Sequence, residues 1–215
     1  MTTEGEDSAA PPRRRLDWLR AASDRLPTSW LTGIATGLFL VATAAFGGLA
    51  TAAEPAPVTI EPGQEHRNDQ FALTIERVVL VDELTEAGVY VEDGERVLAV
   101  VVDVENTWTR PIAVHSTSSL TESLRLEGLA DTPPDSIARY DDGTVAPWLQ
   151  PGVPAQLVLA WAVTAGRFTD GQPVGITLSD MTLHTGSFVA NGQWWTDPVP
   201  AATMTVILDD IGAGG

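Results

Sequence analysis

The residue types that could carry out catalysis are few and scattered. The three histidines, His66, His115 and His184, show no H-x-x-x-H or H-E-x-x-H spacing that would turn two imidazoles toward one metal. There is no Cys, which excludes a thiol nucleophile, a disulfide framework and a Cys-ligated zinc or iron–sulfur centre. Ser187 lies near His184, but it stands in no G-x-S-x-G elbow and has no evident acid to orient the imidazole. No P-loop and no G-x-G-x-x-G is present. The sequence therefore reads as that of a protein without an active site.

Carboxylates come in groups: Asp82, Glu83 and Glu86; Glu92, Asp93 and Glu95; Asp141 with Asp142; Asp209 with Asp210. Paired acids can hydrolyse a glycosidic bond, which would make the chain a cell-wall hydrolase, but only at a set separation around a sugar cleft. Solvated charge is the simpler reading. Calcium takes oxygen ligands on turns, and Asp141-Asp142-Gly143 puts two carboxylates on one. Asp141 and Asp142 are thus the candidate calcium ligands, although no D-x-[DN]-x-[DN]-G loop surrounds them. No other cofactor is expected.

Tryptophan carries more information. Trp161 falls in an apolar run and reads as core. Trp108 follows Asn106-Thr107 at the end of a strand pattern, and Trp148 precedes a Pro-Gly turn. Trp194-Trp195 sits in a polar stretch from Asn191 to Pro198 that reads as a loop before the last strand. Adjacent residues of an extended chain point to opposite sides, so one of this pair can face water. Exposed Trp anchors partners or stacks on sugars, so Trp194, Trp195 and Trp108 are the candidate binding residues. The alternative is that the pair plugs the end of the fold.

The elements that must position these residues divide at Ala53. Seven Arg and 24 acidic residues follow it, which accounts for the whole net charge of −17; all twelve basic residues of the chain are Arg. Such a surface excludes nucleic acid as a partner. Leu26 to Ala53 carries no charge, and its apolar centre runs from Trp30 to Leu49. Twenty helical residues rise about 30 Å, the thickness of a bilayer's hydrocarbon core. Five Arg and two Asp in residues 11–29 give an excess of positive charge before the run, which places the N-terminus in the cytoplasm and everything after Ala53 outside. The competing reading is a cleaved signal peptide ending at Ala50-Thr51-Ala52. Leu16, Leu19, Ala22 and Leu26 recur at helical spacing, so residues 1–29 could form a short interfacial helix or a disordered basic lead-in. Gly33 and Gly37 form a G-x-x-x-G pair that lets two helices approach, and so suggest a homodimer through the span.

After the span the pattern is all-β. Phe71, Leu73 and Ile75 alternate, then Val78 to Val81 runs apolar; residues 96–105 and 155–163 are dense in β-branched and apolar types. Leu120, Leu124 and Leu126, Val174, Ile176 and Leu178, and Met204, Val206 and Leu208 follow. With no long amphipathic helix there is no βαβ rhythm, and a parallel sheet is not expected. Within the strand 157–161, Leu157, Leu159 and Trp161 should form the buried face.

The order of a first strand, then Glu95 to Asn106 ending in Asn, then Leu149-Gln150-Pro151-Gly152 leading into Leu157 to Val163 resembles a family of immunoglobulin-like domains of unknown function. These occur in exported and membrane-anchored proteins of Gram-positive bacteria, actinobacteria especially. The resemblance spans residues 65–208 and implies architecture only, since the family has no common catalytic residues. The expectation is an immunoglobulin-like antiparallel β-sandwich preceded by a single N-terminal transmembrane helix. Residues 1–29 are the lead-in, 30–53 the span, 54–64 a Pro-containing linker, 65–210 the sandwich and 211–215 a tail. Its expected role is binding, or support of an envelope complex at the membrane, without enzymatic activity. The alternative is an accessory subunit of a membrane transporter or enzyme.

Overall fold

A computed structural model describes residues 28–45, 55–115, 119–129, 132–187 and 191–212. The chain forms two units, Met1–Glu54 and Pro55–Gly215. In the first, Thr28–Ala45 is an α-helix within the uncharged run, and Thr43 Oγ1 donates back to the Phe39 carbonyl at 2.8 Å. Among the described residues no helix is long and apolar enough to cross a membrane. The last third of the expected span, residues 46–53, and nearly all of the lead-in 1–29 lie outside the described residues. Gly33 and Gly37 lie four apart on one face of the helix, with nothing within 4 Å of where a Cβ would stand.

The second unit is a β-sandwich. Its strands are β1 (Val58–Thr59), β2 (His66–Arg67), β3 (Phe71–Val81), β4 (Glu95–Asn106), β5 (Ile112–Ala113), β6 (Leu124–Leu126), β7 (Ser136–Arg139), β8 (Trp148–Leu149), β9 (Pro154–Thr164), β10 (Pro173–Gly186) and β11 (Gly192–Gly212). A single turn of α-helix, Leu120–Ser123, precedes β6. The hydrogen-bonded order is β6-β10-β11-β3-β4-β9-β7, with β1 against β11 and β2 against β3. β11 belongs to both layers: it pairs with β10 up to Ile207, then with β3 from Leu208 onward. Between the layers lies the main core. Leu124, Ile176, Leu178 and Met204 come from one side, and Phe71, Leu73, Leu98, Val100, Leu159 and Trp161 from the other.

Two expectations need correction. The sheet is mixed rather than antiparallel, since β11 runs parallel to β3 and β1 parallel to β11. No crossover helix is needed, because β11 reaches β3 only after the whole intervening chain has been laid down. Residues 54–64 and 211–215 were expected to be linker and tail. Yet Val58–Thr59 is a sheet strand, Ile60 packs on the core, and Ile211 and Gly212 continue β11.

Periodicity explains the core. Phe71, Leu73 and Ile75 face inward; the register then slips between Ile75 and Arg77, and Val78 and Leu80 take over the inner face. Such a bulge inserts one residue and reverses parity, which is why an alternating segment turns into an apolar run. Leu157, Leu159 and Trp161 are buried in the main core, as expected. The opposite face is buried too: Val158 and Ala160 join Val79, Val81, Val97, Ala99 and Val101 in a second cluster. Leu84, Val89 and Val91, from the segment between β3 and β4, cover that face. Strands buried on both sides lose polar alternation, hence the long Val-rich runs.

Candidate binding site

Four of the tryptophans meet at one end of the sandwich. Trp108, Trp148, Trp194 and Trp195 line a cleft of about 250 Å³, together with Pro111, Ile112, Ala113 and Gln193. Trp194 and Trp195 do not lie on a loop, as the polar stretch 191–198 suggested, but on β11. The register pairs Trp194 with His184 and Trp195 with Leu183 of β10. Strand alternation then separates the two indoles: Trp195 is 4% exposed and Trp194 is 37% exposed. The paired stretch ends at a break in register before Pro198, where Asp197 has φ of 54°. A ring without an N–H is tolerated there because the ladder is already interrupted.

Trp195 packs edge-on against Trp108, with ring centroids 5.8 Å apart and planes at 79°. This is the favoured geometry of an aromatic pair, and it makes Trp195 the wall of the cleft rather than a contact surface. Its indole nitrogen is shut off from solvent and has no hydrogen-bond partner among the described residues. Trp148, carried by β8 opposite Ala113 of β5, is 63% exposed. His184 lies 4.8 Å from Trp194, ring to ring, and the Arg110 guanidinium carbon sits 5.5 Å from the Trp108 ring centre.

One buried side chain holds these parts in register. Asn106, wholly inaccessible, closes β4. Its Nδ2 donates to the carbonyls of Arg110 (2.8 Å) and Leu149 (2.9 Å), and its Oδ1 accepts from the Trp108 N–H (2.9 Å). The Gly152 N–H in turn donates to the Asn106 carbonyl at 2.8 Å. Two of the amide's three bonds shape the 106–111 turn, and the third joins that turn to the 148–152 turn. Gly152 has φ of 67°, which the expected Pro-Gly turn requires.

The other candidate residues are engaged elsewhere. Arg139 binds Asp141 through both oxygens (3.0 and 2.9 Å), and this contact holds the Asp141 carboxyl below its ordinary pKa. Asp142 accepts from the Thr144 N–H at 2.9 Å. Among the described residues no group of three or more His, Asp or Glu could hold a metal ion, and the carboxylates of Asp141 and Asp142 are engaged by an arginine and a backbone amide. Arg96 grips Asp210 with two bonds of 2.7 Å and reaches Asp82 at 2.9 Å. Those hydrogen bonds pull the Asp210 carboxyl down to about 2 and raise Arg96 above its ordinary value. His66 contacts Asp180 at 2.8 Å and Asn68 donates to the same oxygen, which ties β2 to β10.

No family model and no curated protein matches the chain. Among solved structures it is similar to an uncharacterized β-sandwich protein of Clostridium difficile 630, with 12% identity over 72% of this chain and 97% of that one, at a TM-score of 0.40. Two proteins described as a "putative lipoprotein" are also similar. The one from Bacillus subtilis subsp. subtilis shares 15% identity over 66% of this chain and 38% of that one, at a TM-score of 0.34. The one from Staphylococcus aureus subsp. aureus shares 10% over 69% and 94%, at 0.35.

Other concavities lie outside the cleft, and two of them bear on the reading. One, of about 610 Å³, runs over the outward threonines Thr177, Thr203 and Thr205 beside Arg125 and Glu127. The other, about 290 Å³, has Val79, Val101 and Val158 as its floor and Glu83 and Glu86 on its rim, with Arg77 donating to the Tyr140 hydroxyl at 2.7 Å. Neither gathers exposed aromatic surface as the tryptophan cleft does. The sequence placed Trp108, Trp194 and Trp195 as candidates but left Trp148, Arg110 and the Asn106 clamp unassigned; the Asn at the strand end and the Pro-Gly turn were the visible signals.

Proposed function

We propose that this chain is a single-pass membrane protein, N-terminus inside, that displays an acidic, immunoglobulin-like β-sandwich outside the cell as a binding module. The uncharged run up to Ala53, within which Thr28–Ala45 is helical, is the anchor in this reading, and the arginines before it set its orientation. Two features support a non-enzymatic role. Asp82, Asp141 and Asp210, from three of the acidic clusters, are bound by arginines, and the cleft itself is lined by aromatic and apolar side chains.

The observation that carries the reading is the cleft, where Trp148 and Trp194 stand exposed on a frame fixed by a buried asparagine. Large exposed indoles are costly to leave in water and are the side chains on which interfaces concentrate their energy. Trp148→Ala and Trp194→Ala should each weaken capture of an envelope partner by about 2 kcal/mol, roughly thirtyfold, without lowering the melting temperature. Unchanged capture by both folded variants would refute the assignment. A second reading, an accessory subunit of a membrane complex held through its helix, draws on the open Gly33 and Gly37 face. Loss of association on Gly33→Leu and Gly37→Leu, with the tryptophan variants silent, would favour it.

A further inference from the structure

We infer that the occupant of the tryptophan cleft is a saccharide bearing a carboxylate, with the apolar face of its ring on an exposed indole and its acid on Arg110. This rests on the binding reading above. The indoles of Trp148 and Trp194 offer flat apolar area, and Gln193 adds an amide to the lining. A pyranose ring matches that mixture, since one face presents C–H groups and its edge presents hydroxyls.

The charge on the ligand follows from the arginines. Seven Arg follow Ala53 among 24 acids, yet Arg110 makes neither an ion pair nor a side-chain hydrogen bond among the described residues. The other six have oxygen partners: Arg67 with Glu65, Arg77 with Tyr140, Arg96 with Asp210, Arg125 with Glu122, Arg139 with Asp141, and Arg167 with the Gly128 carbonyl. Arg77 and Arg167 likewise meet no carboxylate, but they donate to a hydroxyl and a backbone carbonyl. The Arg110 guanidinium, with no oxygen partner among the described residues, lies against the ring of Trp108, which lines the cleft, and Asn106 fixes its backbone. Its donors match a carboxylate in a two-bond fork. The acid surplus repels an anion at long range, but salt screens that field beyond about 10 Å at 0.1 M, whereas the contact with Arg110 is short. A proline-rich peptide also docks on aromatic grooves, but brings no anion for Arg110.

The test is isothermal titration of the full-length chain in detergent. The probes are a glucuronic acid-containing disaccharide, the disaccharide of N-acetylglucosamine and N-acetylmuramic acid, an uncharged counterpart of each, and a proline-rich peptide. At least one acidic disaccharide should bind about tenfold tighter than its uncharged counterpart. Which acid binds tells whether the carboxylate belongs to a uronic acid or to a lactyl ether. Arg110→Gln should erase the preference and keep the uncharged affinity, and Trp194→Ala should weaken both, with melting temperatures unchanged. Equal affinity for acidic and uncharged sugars, a preference that survives Arg110→Gln, or binding of the peptide alone overturns the inference. If no sugar binds while Trp194→Ala still reduces envelope capture, the saccharide falls and the binding reading stands. If capture is also indifferent to Trp194→Ala, both fall.

Discussion

Asn106→Ala removes the clamp that holds the cleft. It deletes three hydrogen bonds, to the Arg110 and Leu149 carbonyls and from the Trp108 N–H, and leaves each partner without its bond. A buried polar group left unpaired costs about 1–3 kcal/mol. The Leu149 carbonyl bond is fully buried and bears the full cost, whereas the other two are only partly buried and regain water in part. The sum is about 3–5 kcal/mol, a fall in Tm of roughly 10 °C for a domain of this size. Asn106→Asp separates hydrogen bonding from volume. It keeps the shape and the acceptor but turns a carboxylate toward two carbonyl oxygens, which raises the folded-state pKa of the new acid. A raised carboxyl pKa costs little in acid, where both states hold the proton, and costs more as pH rises above the ordinary carboxyl range. The deficit of Asn106→Asp relative to wild type should therefore grow from acid to neutral pH, while that of Asn106→Ala stays flat. Melts followed by circular dichroism across pH read both. An Asn106→Ala protein that melts within about 2 °C of wild type, or an Asn106→Asp deficit independent of pH, would refute the clamp.

Trp161→Ala should cost about 3–5 kcal/mol in a denaturant melt, because it empties a buried site and strands the Thr132 carbonyl that its indole N–H meets at 3.0 Å. Arg96 holds the Asp210 carboxyl down to about 2 from 3.8, so its stabilisation is present above the ordinary value and is lost as pH falls through about 2. Acid titration of stability should show this loss in wild type and not in Asp210→Asn. Trp195→Ala should lower Tm because it unpacks Trp108, whereas Trp194→Ala should leave Tm in place; equal melting effects would reverse the wall and surface roles given to them. Protease added to intact spheroplasts should digest the chain after Ala53 and spare residues 1–25, and protection of the sandwich would invert the proposed topology.

Strand positions were legible where one face is apolar, as at Phe71, Leu73 and Ile75. They blurred where both faces are buried. The cover of Val101, Val158 and Ala160 comes from Leu84, Val89 and Val91, three residues in a segment that carries no strand pattern. The stretch 191–198 looked like a loop because Asn191, Gly192, Asp197 and Pro198 are turn formers. What makes it a strand is pairing with His184 and its neighbours, a tertiary contact that outweighs composition. The parallel pairing of Leu208 with Val78 joins residues at opposite ends of the domain, and local pattern carries no trace of it. Arg139 stood two residues from Asp141 in the sequence. That spacing was a readable sign that the turn's charge was already matched.

The most direct test is hydroxyl-radical footprinting of the tryptophans on native envelopes and on the purified chain. Trp161, at 2% exposure, is the internal zero. Trp148 and Trp194 should be oxidised readily in the purified protein and protected in the envelope, where the cleft is filled. Equal oxidation of both in the two preparations would contradict a contact surface at this end of the sandwich.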